Sequence, residues 1–374
     1  MFNLCALLKR ILLTIFFSSI FLLVLVIELA LSPNSNEIHI YDTTSWEKLF
    51  VLTEHDLVVS ALDWSSVNNK IVSCSHDRNA FVWTYEPASS DEEAKWKPAL
   101  VILRIDRAAM DVKWAWDGLR FAVGSGSKCI PMCTYDASND WWVSKMIKKK
   151  IKSTVICVAF HPTNGQLLAT GCADFKCRIF STYSADVDGD AASDVNAGPF
   201  GKPVEFGEVY TELSTTAWIN AIAWSPSGNT LAYASHDSAI HFATFPAGSD
   251  PVVQTIRFGD MPLRSLIFVA EGAVVAGGHD FNPRLYAKEG STWAFSKKLD
   301  EKKVEKSAAT SAISAARALF QNKTSRGQEA KAETDSLWTK HENAITSLYS
   351  ACPSGGDGVL TKISSSSLDG RVVV

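Results

Sequence analysis

One turn recurs along this chain and restricts its fold more than any other feature. In "IVSCSHDRNAFVW", Ile71–Trp83, an apolar strand runs into small residues, then Asp77, then a second strand ending in an aromatic residue six positions later. "LLATGCADFKCRIF" puts Asp174 at the same place, with Phe180 six positions on. "LAYASHDSAIHFA" puts Asp237 there, and "VVAGGHDFNPRLY" puts Asp280, followed by Tyr286. "FAVGSGSKCIPMC" carries Ser127 instead of the aspartate, "SNEIHIY" supplies Ser35 with Tyr41, and "ISSSSLDGRVVV" supplies Asp369. The aligned positions 35, 77, 127, 174, 237, 280 and 369 make seven repeats. An earlier strand precedes most of these turns by twelve to fourteen positions, ending in Trp64, Trp114, Phe160, Trp224 or Phe268, with Tyr349 in the last repeat. These strands alternate apolar and polar residues and are bounded by turn clusters such as "SPSGN" and "HPTNG", with no helical period.

A four-stranded unit of about 40–45 residues with an aspartate in this turn resembles the WD40 blade. One blade has two apolar faces that it cannot bury alone, so blades stack radially and cover one another. Spacings of 42 to 50 fit one blade, and the gaps of 63 and 89 hold insertions. The expected fold is therefore all-β, a seven-bladed propeller over residues 34–374. The resemblance implies that Asp77 belongs to a structural tetrad with His55, Ser73 and the Trp83 indole, and only this repeat carries the whole set. Asp174, Asp237, Asp280 and Asp369 mark the same turn elsewhere. A buried carboxylate needs donors because its desolvation is otherwise costly, so the Cys74, His76 and Asp77 grouping reads as structure rather than catalysis.

Other signals point the same way. A net charge of −4 argues against nucleic acid as a partner. The eight cysteines are scattered, and no pair has the C-x-x-C spacing of a zinc or redox site. "GSGS" at 124–127 aligns with the repeat turn and is no phosphate loop. "DVDGDAASD" at 186–194 lacks the downstream glutamate of a calcium loop and reads as a disordered acidic loop. "NKT" at 322–324 is a glycosylation sequon, relevant only to a luminal domain. No nucleophile, base and acid can be assembled without dismantling the repeats, so the expectation is no enzyme, no cofactor and no metal. The lysine-rich "KMIKKKIK", with Lys148, Lys149 and Lys150 near Trp141 and Trp142, reads either as a patch for an acidic partner or as a solvated edge strand.

The N-terminus is different. Ile11–Ile27 is seventeen residues without a charge, preceded by Lys9 and Arg10. Extended to Leu31 it is long enough to cross a bilayer as a helix, and a signal peptide is the rival reading. Residues 1–33 are thus expected to form a hydrophobic helical anchor or signal outside the propeller.

Beyond the repeats, "KPALVILRIDRAAMDVKWA", "NDWWVSKMIKKKIKSTV", "CADFKCRIFSTY", "FGEVY", "AGGHDFNPRLY", "ARALFQN" and "TDSLWTKHENAIT" closely resemble the WD-repeat subunit, subunit 1, of the actin-related protein 2/3 complex. The resemblance runs from about Asn34 to the C-terminus. It implies a non-enzymatic, cytoplasmic scaffold in a complex that nucleates actin branches. Its implied partners are the other subunits, the actin filament and nucleation-promoting factors. It also implies that the insertion at 300–335 projects as a short helical arm towards filament or activators. Within it Ser307–Phe320 is rich in helix formers, with Ile313, Ala316 and Phe320 on one face, Leu319 at its edge and Arg317 beside them. The other readings are a WD40 adaptor of a different complex and a propeller tethered to a membrane through residues 11–31.

The sequence departs from this family at the closure seam. The family's first thirty or so residues supply closing strands, and here the hydrophobic segment stands in their place, while Val374 falls one residue before the equivalent of Trp83. The seam is expected to be incomplete. Three accounts remain open: misassigned gene boundaries, which we favour, a divergent chain with the apolar segment forced into the seam, or a membrane-tethered propeller.

Overall fold

Seven antiparallel sheets follow one another along the chain, and in each the strand nearest the ring centre comes first. The computed structural model describes residues 5–17, 20–89, 92–189, 200, 205–246, 249–300, 339–351, 359–360 and 362–374. The inner strands are Cys5–Phe17, Val59–Trp64, Ala109–Trp114, Val155–Phe160, Ile219–Trp224, Leu263–Ala270 and Ile345–Ser350, which begin blades 1 to 7. Each packs beside the next, and Cys5–Phe17 lies between Ile345–Ser350 and Val59–Trp64, closing the ring. Blades 1 to 6 have four strands, whereas three are described in blade 7.

Position within a blade explains composition. The second strands Arg120–Ser125, Leu167–Cys172 and Thr230–Ser235 are buried along their whole length, because neighbouring blades cover both faces. The outer strand Val252–Arg257 has no fully buried residue. One apolar cluster joins Val72, Cys74 and Val82 of blade 2 to Val112, Trp114 and Phe121 of blade 3, and others join blades 4 to 5 and 5 to 6 in the same way. Stacking also explains the small residues before the turn. Three positions ahead of the turn residue stand Cys74, Gly124, Gly171, Ala234 and Gly277. A Cβ on Gly171 would come within 2.6 Å of Ile219 in the next blade, and one on Gly277 within 2.7 Å of Ile345.

Polar groups tie the inner strands together. The Asp63 carboxylate accepts the Trp114 amide at 2.8 Å, Asp111 accepts that of Val158 at 2.9 Å, and the Ser265 hydroxyl accepts that of Leu348 at 2.9 Å. Asn220 donates to the Leu263 carbonyl at 3.1 Å. Lys113 in blade 3 reaches the Tyr349 hydroxyl of blade 7 at 2.6 Å and Asp63 of blade 2 at 3.4 Å, so one cation spans the seam.

The N-terminal segment corrects an expectation. Instead of a helix outside the propeller, residues Cys5–Phe17 and Ile20–Ser32 are antiparallel strands of the first sheet, paired from Cys5 with Ser32 to Phe17 with Ile20. Among the described residues no helix is long and apolar enough to cross a membrane. An unbroken apolar run fits a helix or a strand covered on both faces, and periodicity alone does not separate the two. Strand pairing settles it here. Without Glu28–Leu31 the strand Ile38–Asp42 would present an unpaired inner edge, and these residues pair with it from Glu28 opposite Asp42 to Leu31 opposite His39. The seam expected to be open is thus occupied by this segment. The insertion at 300–335, apart from Asp300, lies outside the described residues, and with it Ile313, Ala316, Arg317, Leu319 and Phe320.

Candidate functional site

The four residues of the complete tetrad come together in blade 2. His55 sits in the loop entering the inner strand, Ser73 on the second strand, Asp77 in the turn and Trp83 on the third strand. His55 Nδ1 lies 2.8 Å from Asp77 Oδ2, and His55 Nε2 lies 2.8 Å from Ser73 Oγ, which accepts the Trp83 indole N–H at 2.9 Å. One proton arrangement satisfies every member: Nδ1–H donates to the carboxylate, the serine hydroxyl to Nε2, and the indole to the serine oxygen. Asp77 also accepts the amides of Asp56 at 3.1 Å and Asn79 at 2.8 Å. Burial works to raise its pKa, but the His55 hydrogen bond and the two amides outweigh it and hold the carboxyl below the usual range.

This relay has the connectivity of a Ser–His–Asp triad, so its surroundings decide what it can do. Ser73 is wholly buried, and its oxygen already receives the indole proton. None of the four residues lines the central channel or the pocket beside Tyr41 and Leu368. A nucleophile needs a reachable carbonyl and an oxyanion site beside it, and this position offers a packed blade interior.

Other turns are held differently. In blade 3 the Ser127 hydroxyl accepts the amides of Asp106 at 3.1 Å and Arg107 at 2.9 Å, the loop amides that a turn carboxylate would take. In blade 7 Asp369 accepts the amides of Glu342 and Arg371, and His341 Nε2 lies 2.8 Å from Ser365 Oγ. Blade 4 places Arg178, which is nearly buried, on both oxygens of Asp174 at 2.9 and 3.1 Å and on Glu212 at 2.8 Å. Blade 6 pairs the equally buried Arg284 with Asp280 and Asp260. In blade 5 Asp237 receives the Ser235 and Thr216 hydroxyls and Arg257, while His241 joins Ser235 at 3.0 Å to Thr255 at 2.8 Å. Arg178, His241 and Arg284 were missed by sequence reasoning. The signal was there: each stands four positions after its turn aspartate, where blade 2 has Phe81.

The lysine-rich stretch lies at an outer strand, Trp141–Ile147, and the turn after it. Lys149 pairs with Glu208, and Lys148 and Lys150 are exposed. Trp142 packs among Trp114, Phe121 and Tyr135, whereas Trp141 is 60% exposed. The structure therefore separates two residues that sequence reasoning grouped. Of the acidic stretch, the described residues end at Gly189, and contrary to expectation Ala185–Asp188 forms one helical turn, with Asp188 paired to the buried Arg120; residues 190–194 lie outside the described residues. The ordering of that turn follows from the Arg120 guanidinium, whose charge is costly to bury unpaired. Among the described residues six cysteines are free and buried, and burial pushes Cys172 up to about 11. No group of three or more metal-ligating side chains among the described residues is placed to hold an ion.

Comparison with known proteins extends these observations. The WD domain, G-beta repeat family matches residues 46–84, 146–181 and 207–242. Actin-related protein 2/3 complex subunit 1B of Arabidopsis thaliana is 42% identical over 354 residues, covering 92% of this chain and 90% of that protein. Subunit 1A-B of Xenopus laevis is 40% identical, covering 89% and 90%. Subunit 1 of Schizosaccharomyces pombe is 36% identical, covering 93% of each.

Proposed function

The chain belongs to the family of actin-related protein 2/3 complex subunit 1, and from that premise we propose that it is a non-catalytic scaffold subunit of such a complex, supporting nucleation and branching of actin filaments. The observation that carries this reading is the reach of the likeness. It covers about nine tenths of the chain, and so includes loops and outer strands as well as the repeat turns common to unrelated propellers.

Physical features support a scaffold. The polar clusters that resemble chemistry are consumed inside blades, where they fix turns. The perimeter of blades 1 to 3 presents Leu49, Val51, Leu100, Ile102, Trp141 and Val143, each more than a third exposed on an outer strand. An apolar perimeter on a rigid ring suits permanent packing against other subunits. The filament and nucleation-promoting factors are partners in this proposal through the arm around Ser307–Phe320, and the working place is the cytoplasmic actin cytoskeleton.

Purification of the endogenous protein through an epitope in the propeller tests this reading. Recovery of both actin-related proteins in equal amounts, with a complex that accelerates actin assembly in a pyrene-fluorescence assay, is the expected result. Recovery of the chain without any actin-related protein overturns it.

A further inference from the structure

Strand order sorts the loops of each blade between the two ends of the ring. In an antiparallel meander the loop from inner to second strand and the loop from third to outer strand share one end, opposite the turn that carries Asp77 and its counterparts. That shared end is acidic. Among the described residues, the third-to-outer loops of blades 1 to 5 contain Glu47, Glu92, Asp140, Asp188 and Asp250 and no lysine or arginine. The inner-to-second loops of blades 2 to 6 contain Asp117 and Glu271, again without lysine or arginine. In blades 2 and 3 the cations at this end are engaged. Lys95 and Lys97 pair with Glu92 and Glu86, Arg120 with Asp188 and Asp117, and Lys70 lies over the Tyr135 ring at 5.5 Å.

Blades 2 and 3 add an apolar patch to this end. Trp116 and Leu119 of the blade 3 loop are 53% and 55% exposed, and Val67 of the blade 2 loop is 63% exposed. The two loops touch: Asn68 donates to the Gly118 carbonyl at 2.8 Å, and a Cβ on Gly118 would stand 3.0 Å from Ser65 Oγ and Asn68 Nδ2. Fixed turns display these side chains, because Asp117 accepts the Leu119 amide at 2.9 Å and Gly118 donates to the Ala115 carbonyl at 3.0 Å. The turn itself does not need them. Counted from the aromatic residue that ends each inner strand, the place of Trp116 is taken by Pro162 and Pro226 in blades 4 and 5. The place of Leu119 is taken by Asn69, Gly165 and Asn229 in blades 2, 4 and 5. Tyr135, 43% exposed, carries the patch outward to Asp136 and Asp140. The side chains that bond these two carboxylates are neutral donors, Ser138 and Asn139 for the first and the Tyr135 hydroxyl for the second.

We propose that this end of blades 2 and 3 docks a basic amphipathic segment of a partner protein, with its apolar side on Trp116, Leu119 and Val67 and its cations against Asp117, Asp136 and Asp140. Apolar side chains held in water by fixed turns, with no packing role of their own, mark an interaction surface. The carboxylates choose the sign of the partner. An acidic segment would meet like charge from blades 2, 3 and 4, whereas a basic one is drawn to it. The site is built from loops of this propeller alone and does not depend on which complex the chain joins.

The test uses the full chain with whatever subunits accompany it, and a fluorescein-labelled peptide of leucine and lysine whose leucines fall on one helical face. Saturable binding is expected in fluorescence anisotropy, weakened about tenfold by Trp116→Ser through loss of a central apolar anchor. Asp140→Asn is expected to weaken it about threefold through loss of one charge contact. Val252→Ser, at an exposed apolar site on the blade 5 outer strand, should leave it unchanged. Should Trp116→Ser lower the melting temperature, Leu119→Asn decides at unchanged melting temperature, since blades 2 and 5 carry asparagine at that place. Absence of binding, indifference to Trp116→Ser and Leu119→Asn, or an equal loss in Val252→Ser overturns the site. Equal binding of a peptide with glutamate in place of lysine overturns the basic partner. Equal binding of the same residues in an order that leaves no apolar face overturns the amphipathic one.

Discussion

Blade 2 and blade 4 hold the same turn by opposite means. In blade 2 the Asp77 carboxylate is held by a hydrogen-bonded relay of a histidine, a hydroxyl and an indole, all nearly or fully buried, and no guanidinium takes part. In blade 4 the Asp174 charge is met by a guanidinium in bidentate contact, shared with Glu212 on the outer strand. The first solution fastens the turn to the loop entering the inner strand, whereas the second fastens it to the outer strand. The turn geometry thus tolerates either, and what the blade requires is that the carboxylate be satisfied. Blades 5 and 6 follow blade 4 in placing a basic residue at the same offset, so the ring is built from two stapling chemistries rather than one decaying repeat.

Removing the central group of each staple should expose the contrast. Arg178→Met leaves Asp174 without its guanidinium, and leaves Glu212 with Lys176 at 3.3 Å as its remaining cation. Breaking a buried ion pair from one side costs about 3–5 kcal/mol, and the lower part of that range is expected because Glu212 keeps an edge to water. Adding Asp174→Asn should recover much of the loss. Chemical denaturation of the full chain measures both, and an Arg178→Met variant as stable as the wild type would remove the distinction. In blade 5 the cost appears through acid. Burial lowers His241 from 6.5 to about 4, so the folded state binds fewer protons than the unfolded chain between those values. Stability from this group is full above pH 6.5 and is lost as pH falls towards 4, about 3 kcal/mol in all. Asp77 behaves otherwise: its depressed pKa contributes stability that is lost only as pH falls below the ordinary carboxylate range. Melting temperature followed from pH 7.5 to 5 should fall less steeply in His241→Gln than in the wild type. Identical slopes would mean that other buried histidines, His161 and His341 among them, carry the whole dependence.

Ser73→Ala sharpens the comparison from the relay side. It strands His55 Nε2 and the Trp83 indole together, at about 1–3 kcal/mol for a buried group left unsatisfied. A smaller loss than in Arg178→Met is expected under the same denaturant, since the His55–Asp77 contact stays in place. A larger one would make the relay the stronger staple.

What the sequence made legible was whatever repeats at fixed offsets. Seven turns and the residues of the blade 2 relay are readable because a blade's register forces the same position to the same place, as Ser73, Asp77 and Trp83 illustrate. Arg178, His241 and Arg284 obey the same rule but were masked by a search for the tetrad's residue types. The N-terminal strands were not legible for a different reason. Inside a propeller both faces of an inner sheet are covered, so the alternation that distinguishes strand from helix is erased, and only pairing with Ile38–Asp42 reveals it. The carboxylates of the acidic end were visible as letters, yet their gathering at one end of the ring follows from strand order, which no single loop encodes.

The smallest expected effect concerns the backbone that both staples hold. The residue after the turn position has a positive φ in blades 2 to 7: Arg78 at 73°, Lys128 at 58°, Phe175 at 65°, Ser238 at 56°, Phe281 at 66° and Gly370 at 81°. One of the six is glycine, so five blades carry a side chain in a conformation that costs an L-residue about 1–2 kcal/mol. Arg78 is exposed, and its replacement by glycine removes that cost while adding about 0.5–1 kcal/mol of unfolded-chain entropy to be lost on folding. Arg78→Gly should therefore stabilise the chain by roughly 0.5 kcal/mol, and Arg78→Val should destabilise it, because a β-branched residue fits this region worst. If Arg78→Gly instead lowers the melting temperature, the strain lies elsewhere, and the relay is holding a turn that its own backbone already prefers.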